Sequence, residues 1–167
     1  FQSFAALFPG DGVLDEAAFE QVMWRRLQAL EQIDAQRGET YDPRVSADPT
    51  DPHFSLSFGG EGFFVVALQP GAARPARRGE GPVLVFNPHQ QFERLRMEGR
   101  YEQLRDSIVA RDVALAGSAN PMLARHGESS EARQYSGRMV GEAWVCPLQA
   151  MARASRWARF PVWRALK

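Results

Sequence analysis

The chain has 167 residues, 44% of them hydrophobic and 24% charged, which suits one folded domain and excludes disorder as the main state. Its 20 basic and 20 acidic residues cancel, so the net charge gives no reason to expect a nucleic-acid partner or an acidic substrate. The one cysteine, Cys146, excludes an intrachain disulfide and a four-thiolate zinc site, and fits a reducing compartment.

In chain order, Asp15 and Glu16 precede an apolar stripe (Phe19, Val22, Met23, Leu27, Leu30, Ile33) at helical spacing, which predicts a helix over 15–36. Three Asp-Pro pairs in YDPRVSADPTDPHF rule out regular helix there and predict a surface-packed loop. Alternation over 54–58, the turn GGEG and the run GFFVVAL predict a hairpin of strands 54–58 and 62–68, and VLVF predicts a third strand over 82–86. Asn87 as cap and Pro88 in the first turn predict a helix over 88–98, buried through Phe92 and Leu95. After Gly99, the spacing of Tyr101, Leu104, Ile108 and Leu115 predicts another helix over 100–116.

Residues 117–146 are polar and lack periodicity, the signature of a long functional loop. Residues 149–167 read as a basic helix interrupted near Pro161, with four arginines, one lysine and no acid, which leaves the first 150 residues at −5. It docks on the domain's own core or lies on a membrane surface or partner. The expected fold class is α+β: a single domain over 1–167, core about 15–148, whose small antiparallel sheet is covered by helices. No run of 18 apolar residues and no signal pattern is present, so a cytoplasmic protein without a transmembrane segment is expected. The first residue is Phe rather than Met, which leaves room for upstream residues in a site.

His89 follows Asn87-Pro88 at a strand-to-helix junction. It is either a solvent-facing first-turn residue or an imidazole held for a ligand. His126 lies among polar groups in the long loop, and His53 reads as structural. With no H-x-x-H or H-E-x-x-H spacing, a zinc hydrolase is a poor fit. Cys146 is a buried small hydrophobe, a nucleophile or an axial thiolate. Arg74, Arg77, Arg78, Arg133 and Arg138 sit in Gly- or Pro-rich loops, where a guanidinium can clamp a carboxylate or simply face water.

Taken together, FFVVALQPGAARPARR, VFNPHQQFERLRMEGRYEQLRDSIVARD, LAGSANPML, HGESSEARQYSGR and WVCP resemble the YqcI/YcgG family over residues 54–148. The resemblance implies a haem-dependent monooxygenase that N-hydroxylates a guanidino or amino nitrogen of an arginine-like small molecule. Its needs would be haem b, dioxygen and an electron donor, with no nucleic acid and a homodimer left open. A haem-binding or small-ligand-binding protein without turnover is the second reading. Family members commonly show His where this chain has Gln69, and the iron ligand ranks as His89, then Cys146, then His126. On the same reading Arg74, Arg77, Arg133 and Arg138 are partners for the haem propionates, and Phe63, Phe64, Phe86 and Phe92 are the apolar wall. Tyr135 and Ser136 are donors to bound oxygen or substrate, and Glu128, Glu131 and His126 are the substrate contacts.

Overall fold

The structure is a computed structural model that describes residues 2–9, 12–125 and 127–148. The basic helix expected over 149–167 and His126 lie outside the described residues. The chain forms an α+β fold with a small open antiparallel sheet partly covered by helices. The elements are β1 (Phe4–Leu7), α1 (Glu16–Gln36), β2 (Leu56–Phe58), β3 (Glu61–Leu68), β4 (Val83–Pro88), α2 (His89–Met97), α3 (Tyr101–Ala116) and α4 (Ala132–Tyr135). The strand order is β1-β4-β3-β2, antiparallel throughout.

Asp15 caps α1 by accepting the Ala18 N–H at 2.7 Å, which satisfies one of the helix's orphan donors. Phe19, Met23, Trp24 and Leu27 then share one core cluster with Val65, Ala67, Leu84, Phe86 and Tyr135. The period of two in β3 divides its side chains between two faces. Val65 and Ala67 are buried, while Phe64 and Val66 are half-buried and line cavities.

Three local expectations need correction. FAAL is a strand, β1, and pairs Phe4 with Phe86; four residues are too few for an alternation to stand out. The hairpin's first strand begins at Leu56, because Phe54 makes a parallel bridge with Ser46 in the Asp-Pro loop instead. Pro88 ends β4 in an extended conformation opposite Phe63, and the helix starts at His89 without a side-chain cap. A proline is tolerated there because β1 pairs only as far as Phe86, so no outer neighbour asks for its missing N–H. Asn87 therefore caps nothing: its amide donates to the Phe64 carbonyl at 3.2 Å, and its oxygen accepts from Ser3 Oγ at 2.7 Å. On α3 Asp112 is the one buried residue, and Tyr101, Leu104 and Ile108 border a cavity.

The Asp-Pro loop is fastened through Asp42, which is 1% exposed. Its carboxylate accepts from Arg44 Nε at 2.8 Å, Arg44 Nη2 at 2.7 Å and the Gly62 N–H at 2.8 Å. The Arg44 hydrogen bonds chiefly hold this carboxyl down, to about 2 from an ordinary 3.8. Its contribution to stability is therefore complete above about pH 4 and is lost as pH falls toward 2. Asp42→Asn is expected to flatten the acid-unfolding curve in that window, as read by circular dichroism against pH. An unchanged curve would contradict this account of the loop.

Candidate functional site

The strand-to-helix junction sets His89 at the start of α2 with 7% exposure. Its Nδ1 lies 3.2 Å from Ser55 Oγ, and its Nε2 lies 3.0 Å from Glu93 Oε1, one helical turn on. Ser55 is fully buried just before β2, and its hydroxyl donates to Glu131 Oε2 at 3.1 Å. Glu93 is also paired with Arg96. A hydroxyl has one hydrogen. When Ser55 gives it to Glu131, the ring's Nδ1 becomes the donor toward Ser55 Oγ, which leaves Nε2 as the lone-pair nitrogen. The Glu93 contact is made in the other tautomer, in which Nε2 carries the hydrogen and Nδ1 accepts from Ser55.

Glu131 borders a cavity of about 140 Å3 between α2, α3 and the long loop, with Phe64, Phe92, Tyr101 and Leu104 among its walls. A second lobe of about 360 Å3 shares Phe64, Ile108, Leu123 and Gln134 with the first and reaches Arg74 and Arg77. On the outer side of α2, His89 and Glu93 line an open groove of about 950 Å3 together with Arg44, Glu61 and Arg94. The structure thus brings His89, Glu131 and Phe92 close together, and adds Ser55 and Glu93.

The other candidates are placed elsewhere. Tyr135 is fully buried, its hydroxyl donating to the Phe63 carbonyl at 3.0 Å and accepting the Leu56 N–H at 3.2 Å. Burial first, and the Glu131 charge second, raise this phenol well above its usual range, so it stays protonated. Ser136 Oγ donates to Glu20 at 3.0 Å, and Arg138 grips the same buried carboxylate at 2.6 Å. Arg74 pairs with Asp112 at 2.5 Å. Arg77 donates to the carbonyls of Ala67, Gln134 and Tyr135, and its burial pushes the guanidinium down to about 10. Arg133 meets the carbonyls of Val140 and Gly141 and stacks over Trp144, with its guanidinium carbon 5.6 Å from the ring centre. Phe86 is core, in edge contact with Phe58 and Phe63. Cys146 is 2% exposed, also in the core. Glu128 accepts the Arg125 N–H at 2.9 Å and lines a surface pocket with Cys146.

Part of this could have been read from the sequence. The i,i+4 spacing of His89 and Glu93 marks a helix-face pair. Nothing local announces Ser55, whose partners lie 34 and 76 residues away.

Among the described residues no three His, Cys, Asp or Glu side chains group as a metal cage. A haem iron asks less of the protein, a single imidazole whose second nitrogen is held. His89 is a held imidazole, with Ser55 at Nδ1, but its Nε2 already meets Glu93, and the groove beside it is lined by polar side chains such as Glu61, Gln90, Gln91 and Arg94 rather than by apolar walls. The arginines bordering that groove are Arg44 and Arg94 rather than Arg74, Arg77, Arg133 or Arg138. No described helix is long and apolar enough to cross a membrane.

No curated protein and no solved structure matches the chain. The YqcI/YcgG family matches it over residues 1–149, a span that contains every described residue. With that extent of match, and with the strand-helix junction and loop segments in their order, the chain belongs to the YqcI/YcgG family.

Proposed function

We propose that the chain is a haem-dependent oxygenase that hydroxylates a guanidino or amino nitrogen of a small molecule. Family membership supports the class. The observation that carries the assignment to residues is that one buried hydroxyl, Ser55, meets both His89 and Glu131, so the imidazole and the carboxylate stand a single side chain apart. His89 would hold haem b, with its ring fixed by Ser55. When bound, haem supplies the activation of dioxygen, with electrons from a separate donor.

The chain's own part is binding and orientation. Glu131 accepts hydrogen bonds from a cationic nitrogen group, whose planar fork suits a carboxylate. Ser55 fixes the direction of that carboxylate. Phe64 and Phe92 exclude water around it, which strengthens the charge contact.

The test is the absorption spectrum of the protein purified after expression with haem supply. A Soret band is expected in the wild type and in Cys146→Ala, and is expected to be lost or shifted in His89→Ala. A band lost with Cys146→Ala and intact with His89→Ala would reverse the ligand assignment. No band in the wild type would remove haem from the account.

A further inference from the structure

The inner lobe beneath α3 carries a charge pattern that the proposed oxygenase site does not use. Its walls Phe64, Val66, Ile108, Leu115 and Leu123 are apolar, and its volume of about 360 Å3 lies within the range of small-molecule sites, roughly 300–1,000 Å3. Arg74, Arg77 and Arg111 border it with one carboxylate, Asp112. Asp112 is already engaged by Arg74 Nη2 at 2.5 Å and by the Asn120 N–H at 2.9 Å. Arg77 is 9% exposed, and its hydrogen bonds go to backbone carbonyls. The Nε of Arg74 is buried and has no hydrogen-bond partner.

Three guanidiniums, those of Arg74 and Arg77 largely buried and that of Arg111 exposed, therefore stand against one carboxylate along an apolar groove that is partly open at Ile108 and Leu115. Carbonyl dipoles offset part of the excess positive charge, and what remains attracts an opposite charge more strongly than it would in bulk water. A cation has no place there. A neutral apolar molecule would fill the walls and leave the excess positive charge unmatched. An anion on an apolar body answers both features at once.

We propose that the inner lobe binds a medium-chain carboxylate, its head at Arg74 and Arg77 and its tail along Ile108, Leu115 and Leu123. Arg111, exposed at the rim, attracts the anion toward the opening. The site differs from the one at His89 and does not depend on haem.

The experiment is a titration of the full chain with octanoate, followed by calorimetry and by methyl NMR. Saturable binding is expected, with shifts concentrated at Ile108, Leu115 and Leu123. Octylamine and octanol, of the same length, are expected to bind at least about tenfold more weakly, since they lack the charge that the arginines attract. Asp112→Asn removes the competing charge while its amide oxygen still accepts, so octanoate is expected to bind several-fold more tightly. Arg111→Glu changes an exposed residue and is expected to weaken binding. Octylamine or octanol binding as well as octanoate, shifts confined to other residues, absent binding, or two variants without effect would each overturn the proposal. The Soret band reports separately: its absence leaves the octanoate result standing, and lost octanoate binding leaves the band unaffected.

Discussion

Trp24→Ala is expected to destabilise the fold by about 3–5 kcal/mol, the range for deleting a buried tryptophan or phenylalanine. The indole is fully buried on α1 and stacks on Tyr135 with 5.6 Å between ring centres. Tyr135 in turn ties α4 to both strands of the hairpin through the Leu56 N–H and the Phe63 carbonyl. The cavity would therefore open where the helix, the sheet and the long loop meet, and such a site cannot collapse by moving one element. For a domain of this size the loss corresponds to a melting temperature lower by roughly 6–20 °C. Trp24→Phe is expected to cost far less, because the indole N–H is buried without a hydrogen-bond partner and nothing polar is forfeited. Urea unfolding of the two variants checks this. Equal losses would mean that the N–H, rather than ring volume, matters at this position.

Glu131→Gln is expected to weaken binding of a guanidino substrate by about 2–5 kcal/mol, the cost of leaving a desolvated charge without its partner. The substitution keeps shape. Ser55 can still donate to the amide oxygen, so the link toward His89 is preserved and haem content is expected to stay at the wild-type level. The loss therefore separates a carboxylate that binds substrate from one that merely supports the histidine. Titration of arginine and smaller guanidines against the ferric Soret band reads it. Unchanged affinity in the variant would return Glu131 to a supporting role.

Helices α1, α2 and α3 and strands β2, β3 and β4 were legible from apolar spacing and cap or turn residues, and Asp15 announced the start of α1. The sheet's edge strand was not, since FAAL has no alternation to distinguish it, and Leu7 is 74% exposed. His89 could be singled out by its place after Asn87-Pro88, but the reason given for that place was only half right. The proline belongs to β4 and the imidazole is buried by Ser55 and Glu93. The arginines show the limit most clearly. From sequence Arg74, Arg77, Arg133 and Arg138 were either carboxylate clamps or solvent-facing loop residues, whereas the fold gives them Asp112, backbone carbonyls and Glu20. The partners of Arg74 and Arg138, 38 and 118 residues away, leave no local trace in a single sequence.

The most direct test of the oxygenase reading is aerobic turnover of the haem-loaded protein with a reductant, labelled dioxygen and a panel of guanidino and amino compounds, followed by mass spectrometry. The account predicts a product that carries one labelled oxygen atom on nitrogen, formed by the wild type and greatly reduced in both His89→Ala and Glu131→Gln. A haem-loaded protein whose Soret band responds to these compounds without forming any oxygenated product would contradict it, and would leave a binding protein without turnover.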